Sequence, residues 1–478
     1  MCVITITRAN FYHPRFIIKR FILQPECSMY ATGMLEKLFG LKARNTNVRT
    51  EFIAGTTTFM TMAYIILVNP AILSVGVPHG AGMDFGAVMA ATAISSALAT
   101  LIMGLLANYP IALAPGMGMN ALFSFTICGA MGVNWQTALG IVFLTSVIFI
   151  LLTFWGVREL IFNAIPDTIK YATVVGIGLF IAFIGLKDAG IVVSNPETSV
   201  ALGSLKSPPT LIAITGIIII ATLMSMNVKG SILLGIIVAG CIGYAAGIVH
   251  FDFSHGILTL PDLGATFGKM DVRAALNVKY IGPVFTLLFF SLFDAIGTLV
   301  GVTKQAGIMQ SGQVPHLKKA LFVDAVGSSI GAVLGTSSVT AYIESASGTA
   351  VGGRTGLTSV FTATFFLVAV FFTPLAQGLG QGCLVNGTYL YPVTAPALII
   401  VGSLMMATIS DIPWTDPSEA LPAFLTITTM PLTYSISNGL AIGFLAYPVI
   451  KLLSGKGRSV HWLVYLIAFF IALRFLYL

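Results

Sequence analysis

Two acidic residues, Asp294 and Glu344, lie in stretches that otherwise contain apolar or small residues. Asp294 is within FTLLFFSLFDAIGTLVGVT, and Glu344 is within GTSSVTAYIESASG. Both stretches are flanked by segments long enough to cross a bilayer, where an ionised carboxylate is costly unless it faces a cavity or a partner, or is protonated. The two acids therefore predict a polar site inside the membrane. The alternative for each is a neutral carboxyl group that hydrogen-bonds a neighbouring helix.

Two further polar residues extend this candidate site. Asn120, in APGMGMNALF, occupies the place in the first half of the chain that Glu344 occupies in the second. Its amide offers donors and an acceptor, which suits the edge of a heterocycle, although a helix–helix hydrogen bond is the other reading. Asp324, in FVDAVGSSIGAVLG, follows Lys318 by six residues. It either takes part in the site or pairs near that end of its helix.

Small residues surround Asn120 and Glu344. Glycine, serine and alanine allow close backbone approach, and they allow local unwinding that frees N–H and C=O groups for a ligand. A half-helix that starts at such a break points the positive end of its dipole at the site. Aromatic residues in the first apolar segment, such as Tyr64, could stack on a flat ligand, although core packing is the simpler role for each of them.

The composition places the chain among polytopic membrane proteins. It has 478 residues, of which 56% are hydrophobic and 9% are charged, with a mean hydropathy of +0.95. Such a chain has too little charge to cover a soluble surface, and it lacks the alternating strands of an outer-membrane barrel. The five cysteines and six histidines are scattered. No metal site, disulfide framework or cofactor is therefore expected.

Apolar segments predict about fourteen spans. Their expected bounds are 51–75, 86–107, 111–129, 135–155, 169–187, 209–227, 230–249, 279–302, 318–334, 337–351, 356–376, 392–409, 419–434 and 436–452. A last apolar segment, 460–478, either spans the membrane or lies at its interface. Residues 1–45 are partly apolar, but basic residues interrupt them too often for a span. They form either an interfacial helix or, as we prefer, an extension of which the residues before Met29 or Met34 are dispensable.

The distribution of lysine and arginine predicts the orientation. Cations precede the first span and recur in alternate connections, whereas the connections at 76–85, 130–134 and 377–391 carry none. By the positive-inside rule, the N-terminus is cytoplasmic in a multi-pass protein of the cell (inner) membrane. The net charge of +7 is explained by this topology, so nucleic acid is not expected as a partner.

The two halves of the chain share one pattern of spans. In each half a long span and a regular span precede a short, interrupted piece: LAPGMGMNALFSF in the first half and GTSSVTAYIESASG in the second. Seven plus seven spans place the halves in opposite orientations. Inverted repeats with interrupted pieces at matching places are typical of transporters whose site lies at the bilayer midplane. The predicted fold is therefore all-α and polytopic, with 7+7 inverted repeats.

Several motifs resemble one known family. GMGMNALF, SLFDAIGTLVGV, GTSSVTAYIESASGTAVGGRTGLT, VTAPALIIVG and DPSEALPAFLTITTMPLTYSISNG are similar to motifs of the nucleobase–cation symporter family 2. The similarity is to its adenine/guanine/hypoxanthine permease branch, and most of all to bacterial adenine permeases. It covers about residues 35–452.

The resemblance implies a uracil-permease-like fold in which a core domain moves against a gate domain. The core would comprise residues 46–168 (spans 1–4) and 251–378 (spans 8–11). The gate would comprise 169–250 (spans 5–7) and 379–455 (spans 12–14). Residues 1–45 and 456–478 would be the N-terminal cytoplasmic extension and the C-terminal hydrophobic segment.

The resemblance also implies roles for individual residues. Asp294 and Glu344 match the acids of the eighth and tenth spans that contact the base, and Asn120 matches an asparagine of the third span. Thr298 stands where uracil permeases keep a histidine. Some purine permeases have a second acid where this chain has Ser291, and this departure bears on the preferred base and on the proton site.

These features predict a secondary transporter that imports a purine base, adenine first, together with a proton. An acid that binds a proton with the base outside and releases it inside would couple the two; the candidates are Glu344, Asp294 and Asp324. Guanine, hypoxanthine or xanthine are alternative substrates. An anion transporter or an intramembrane aspartyl enzyme fits less well. Membrane lipid is an expected partner, and a homodimer is left open.

Overall fold

The computed structural model describes residues 34–77, 80–155, 164–251, 259, 263–308, 315–380, 382–385 and 388–477. Helices of membrane type follow one another in the predicted order, and we number them as spans 1 to 14. Spans 1 to 7 are Val48–Met62 with Ile65–Leu73, Phe85–Ile102 with Met103–Ala107, Leu113–Pro115 with Met117–Ala121 and Leu122–Ala130, Trp135–Phe154, Asp167–Asp188, Pro208–Ser225, and Ser231–Ala245.

The second half repeats this order. Spans 8 to 14 are Ile281–Gln305, Leu317–Leu334, Val339–Ala341 with Ser345–Ala350, Gly356–Ala369, Ala395–Met405 with Met406–Asp411, Pro417–Leu432, and Ile436–Leu453. Two hairpins lie between spans, Val192–Asn195 (β2) with Ser199–Leu202 (β3) and Cys383–Val385 (β5) with Thr388–Leu390 (β6). Short helices at Leu263–Ala265, Val272–Ala275 and Val278–Tyr280 precede span 8.

Within the described part of the chain, six helices are long and apolar enough to cross a membrane by themselves. They are Val48–Leu73, Phe85–Ala107, Trp135–Phe154, Asp167–Asp188, Pro208–Ser225 and Ile436–Leu453. Other spans are shorter or more polar. Span 9, for example, carries Lys318, Lys319 and Asp324, so its place among the other helices, not its hydropathy alone, makes it part of the bundle.

Spans 3 and 10 are interrupted, as the small residues predicted. Each begins with a three-residue strand and continues as a helix. The strands Leu113–Pro115 (β1) and Val339–Ala341 (β4) pair antiparallel, with Ala114 opposite Thr340. Inside a membrane, unwound backbone needs partners for its N–H and C=O groups, and each strand supplies them for the other. The antiparallel pairing agrees with oppositely oriented halves.

Span 11 differs from the prediction. The apolar run at 356–376 predicted one helix, but the helix ends at Ala369 and a second helix, Thr373–Gly380, begins after a turn. Pro374 is in the first turn of the second helix. A proline has no N–H and its ring clashes with the preceding turn, so it is tolerated at a helix start and not inside one continuous helix.

The spans pack in two groups. Span 11 packs on spans 1 and 2, and span 9 packs on spans 2 and 4. Separately, span 5 packs on spans 12 and 13, span 13 on span 14, and span 6 on span 7. The contacts inside each group are therefore more extensive than those between the groups.

The two ends of the chain are only partly described. The prediction for residues 1–33 lies outside the described residues. Residues 34–39 are helical, and Phe39 and Leu41 are buried against Leu357 of span 11. This end of the 1–45 extension is thus part of the packed structure. The C-terminal segment forms the helix Trp462–Tyr477, which packs on span 14.

Candidate functional site

The paired strands β1 and β4 form the frame of the site. Their ladder continues beyond the strands, because the Gly116 N–H donates to the Ser338 carbonyl and the Tyr342 N–H donates to the Ala112 carbonyl, each at 3.0 Å. The Tyr342 hydroxyl donates to the Pro115 carbonyl oxygen at 2.6 Å. The break in each helix is therefore a defined structure that holds its neighbours in place.

Glu344 lies where β4 leads into the half-helix Ser345–Ala350. Its Oε1 accepts a hydrogen bond from the Tyr64 hydroxyl of span 1 at 2.6 Å, and Tyr64 itself is 1% exposed. The next residue, Ser345, accepts from the Ala112 N–H at 3.0 Å. The buried Tyr64 phenol thus orients the Glu344 carboxylate, and the residue before β1 anchors the start of the following half-helix.

Asp294 of span 8 faces the middle of the strand pair. Its Oδ2 is 3.4 Å from the position that a Cβ would take at Gly116, so the absence of a side chain there lets the acid approach the backbone. The Thr340 hydroxyl lies beside Asp294, within reach of its carboxylate. Asp294 also interacts electrostatically with Glu344 and with Asp324.

Asn120 connects the two interrupted spans. It is 0% exposed, and its Oδ1 accepts a hydrogen bond from the hydroxyl of Ser337, which precedes β4. Its Nδ2 has no partner among the described residues. A buried donor without a partner costs about 1–3 kcal/mol, so this amide is suited to a ligand or a water molecule.

Asp324 belongs with the other acids and not only with the lysines at the start of its helix. The residue is 0% exposed and interacts with Asp294 across the bundle. One turn later, the Ser328 hydroxyl donates to the Val339 carbonyl of β4 at 2.7 Å. Span 9 is therefore hydrogen-bonded to the strand pair close to the acid.

Thr298 lies one turn after Asp294 in span 8 and is partly buried. The structure brings Glu344 and Asp324 each into electrostatic range of Asp294. Asn120 and Glu344 lie toward opposite ends of the strand pair, because antiparallel strands lead into half-helices that extend in opposite directions. Similar places in the two halves therefore do not become neighbours.

Sequence reasoning missed three supporting residues. Tyr64 was considered only for stacking or packing, yet it donates to Glu344. Ser337 holds Asn120, and Tyr342 ties the two strands together. Each of these contacts joins residues more than 200 positions apart, and no local pattern distinguishes such a serine or tyrosine from its neighbours.

A buried acid outside the strand pair was also missed. Glu51, near the start of span 1, is 0% exposed. Its carboxylate accepts hydrogen bonds from the N–H groups of Arg354, Thr355 and Thr358 at 3.0, 3.3 and 3.1 Å. It also accepts from the hydroxyls of Thr46 and Thr358 at 2.8 and 2.5 Å. Glu51 therefore caps the N-terminus of span 11 from another helix.

The comparison with known proteins gives the family. A family model described as "Permease family" matches residues 49–442, which include both interrupted spans and every candidate acid. The chain belongs to this permease family. The membership confirms the resemblance indicated by the motifs around Asn120, Asp294 and Glu344.

Two curated relatives specify the branch of the permease. Adenine permease AdeQ of Escherichia coli (strain K12) is 42% identical over 93% of this chain and 96% of its own length. Guanine/hypoxanthine permease PbuO of Bacillus subtilis (strain 168) is 44% identical over 91% of this chain and 99% of its own length. These relatives are permeases, so the permease described here is a transport protein and not an enzyme.

A solved structure confirms the fold. The transmembrane domain of a cyanobacterium bicarbonate transporter, BicA, matches the permease with a TM-score of 0.60 over 83% of this chain and 97% of that chain. The two sequences are 14% identical, so the likeness concerns the fold alone. It confirms the polytopic, helical architecture that the sequence predicted.

Proposed function

We propose that the permease imports a purine nucleobase, adenine first, by proton symport. The observation that carries this proposal is the pair of acids, Asp294 and Glu344, at strands where Asn120 Nδ2 has no partner among the described residues and the Thr340 hydroxyl lies beside Asp294. Purines present N–H donors and ring-nitrogen acceptors on one flat edge. Carboxylates accept the former, and the amide and hydroxyl donate to the latter.

The same residues supply a proton site. Asp294 interacts with both Glu344 and Asp324, and like charges in a poorly solvated place disfavour full ionisation of all three. A proton shared by these three acids would reduce the negative charge of the site when a neutral base enters. Loss of the proton to the cytoplasm would then favour release of the base, which couples the two fluxes.

Alternating access would follow from movement of the core (46–168 and 251–378) against the gate (169–250 and 379–455). The contacts between them are mainly apolar: the rings of Phe289 and Phe444 are 4.6 Å apart, edge to face. One polar contact joins the Ser437 and Thr286 hydroxyls at 3.2 Å. Such surfaces can slide past each other in an elevator-like motion without leaving many buried polar groups without hydrogen-bond partners.

A guanine or hypoxanthine permease is the second candidate. Its support is the 44% identity to PbuO, which is no lower than the 42% identity to AdeQ, and the serine at position 291 leaves the acid pattern of the site unlike that of some purine permeases. An anion substrate is disfavoured, even though a bicarbonate transporter shares the fold, because Asp294 and Glu344 would repel it.

The experiment is uptake of radiolabelled adenine into vesicles that contain the purified protein. We expect accumulation when the outside is more acidic than the inside, and loss of accumulation when a protonophore collapses the gradient. Unlabelled guanine, hypoxanthine and xanthine in excess rank the bases, and bicarbonate serves as the anion control. Accumulation that does not depend on the gradient would contradict symport, and no uptake of any purine would contradict the proposed substrate class.

Replacement of Tyr64 by phenylalanine tests the hydrogen bond to Glu344. A lost hydrogen bond to a charged group is worth about 1.5–3 kcal/mol, so we expect the KM for adenine to rise by about 10-fold or more, while the protein still folds because the ring is kept. The pH profile of uptake should also shift, since the donor acts on a proposed proton site. A Tyr244→Phe variant, at an exposed position of span 7, is the control. Unchanged KM and pH profile in Y64F would argue against this role of Glu344.

A further inference from the structure

A second cavity lies away from the strand pair. It has a volume of about 280 Å³ and lies where spans 2 and 4 end and span 9 begins; its lining residues are Leu106, Thr153, Phe154, Lys318, Lys319 and Phe322. These ends share one side of the membrane with the N-terminal segment, because an even number of spans (two, four and eight) separates the N-terminal segment from the end of span 2, the end of span 4 and the start of span 9. Neither Asp294 nor Glu344 lines this cavity.

The wall of the cavity is apolar and open to the membrane. Phe154 and Leu106 are 71% and 43% exposed, and the Phe154 and Phe322 rings meet edge to face with centroids 5.7 Å apart. Exposed aromatic and aliphatic side chains at the end of a span contact acyl chains in a bilayer. The wall therefore has the chemistry of a groove for a hydrocarbon chain.

The rim of the cavity is cationic. Lys318 and Lys319 are both exposed and adjacent in the first turn of span 9, and none of the described residues that line the cavity is acidic. Lysine at the level of the head groups attracts phosphate, and basic pockets between membrane helices bind anionic lipid head groups. Two cations above an apolar wall complement a molecule that has an anionic head and a hydrocarbon tail.

We infer that this cavity binds an anionic phospholipid. The phosphate contacts Lys318 and Lys319, and an acyl chain lies along Leu106, Phe154 and Phe322. A bound lipid bridges spans 2, 4 and 9, and span 9 also packs directly on spans 2 and 4. The inference depends on the membrane placement of the chain and not on the proposed substrate, so it stands or falls separately from the transport proposal.

The test is native mass spectrometry of the full chain in micelles doped with phosphatidylglycerol or with phosphatidylcholine. We expect the protein to retain phosphatidylglycerol preferentially. In a K318Q/K319Q variant, the apparent affinity for phosphatidylglycerol should be at least about tenfold weaker, because both head-group cations are lost. A Leu106→Trp variant, which fills the groove without changing charge, should lose the lipid as well.

The matched control is K37Q/K229Q, which removes two exposed lysines on the same side of the protein and should retain the lipid. Equal melting temperatures in phosphatidylcholine show that the variants are folded. Three results would overturn the inference: unchanged lipid retention in K318Q/K319Q, equal competition by inorganic phosphate, or loss of a dimer instead of a lipid in the L106W variant. The first would show that the two lysines do not hold a lipid head group. The second would show that they bind a free anion, and the third that the groove binds a second copy of the chain.

Discussion

Replacement of Asp294 by asparagine, or of Glu344 by glutamine, is expected to reduce initial adenine uptake by at least about 10-fold. Each change replaces a charged acceptor by a neutral amide at the strand pair, and a hydrogen bond to a charged group contributes about 1.5–3 kcal/mol. Both side chains keep their size, so folding should be preserved. The measurement is uptake of radiolabelled adenine by cells, normalised to the amount of protein in the membrane.

The control for this prediction is Glu197→Gln, which makes the same chemical change at an exposed turn between spans 5 and 6. Exchange of labelled for unlabelled adenine across vesicles, without a proton gradient, separates the two roles. A variant that has lost only the proton site keeps exchange and loses accumulation, whereas a variant that has lost the base site loses both. Normal uptake by both D294N and E344Q, or by both alanine variants, would show that the site is elsewhere.

Replacement of Glu51 by alanine is expected to destabilise the protein more than any other single change discussed for this chain. The carboxylate is fully buried and accepts five hydrogen bonds, three of them from N–H groups at the start of span 11. Without it, buried donors remain unpaired at about 1–3 kcal/mol each, so the loss should exceed about 4 kcal/mol. The melting temperature, measured by size-exclusion chromatography of heated samples, should fall sharply. The amount of protein in the membrane should fall with it.

Two further variants serve as references for the melting temperature of E51A. Glu51→Gln keeps one acceptor oxygen but directs an NH₂ group at N–H donors, so its melting temperature should lie between those of the wild type and E51A. Glu36→Gln changes an acid that, among the described residues, accepts from the Lys42 N–H at 3.2 Å in an exposed setting, and should melt like the wild type. If E51A melted like E36Q, the cap on span 11 would not contribute as argued.

The positions of the spans followed directly from the sequence. The predicted bounds of span 4 (135–155) and span 14 (436–452) agree with Trp135–Phe154 and Ile436–Leu453 to within one residue. Hydropathy is a local property, and a bilayer selects segments by their length and apolarity. The interruptions in spans 3 and 10 were likewise visible, because glycine, proline and serine mark places where a helix unwinds.

The acids themselves were also apparent from the sequence. Asp294 and Glu344 are conspicuous because a carboxylate in an apolar segment is costly, so each needs a partner or a ligand. The partner was not apparent, because no lysine or arginine lies nearby in the sequence. Specific motifs such as IESASG and GGRTGLT indicated the permease family, which the comparison confirmed.

Only the tertiary structure decided which polar groups meet. Tyr64 reaches Glu344 across 280 positions, Ser337 reaches Asn120 across 217, and Glu51 reaches Thr358 across 307. Whether a given tyrosine or serine faces lipid, a packed helix or a carboxylate depends on the rotation of its helix and on its neighbours, and a hydrogen bond forms only within about 3.5 Å. Local composition carries no information about such distances, so the sequence determined the spans and the acids, whereas packing determined their partners.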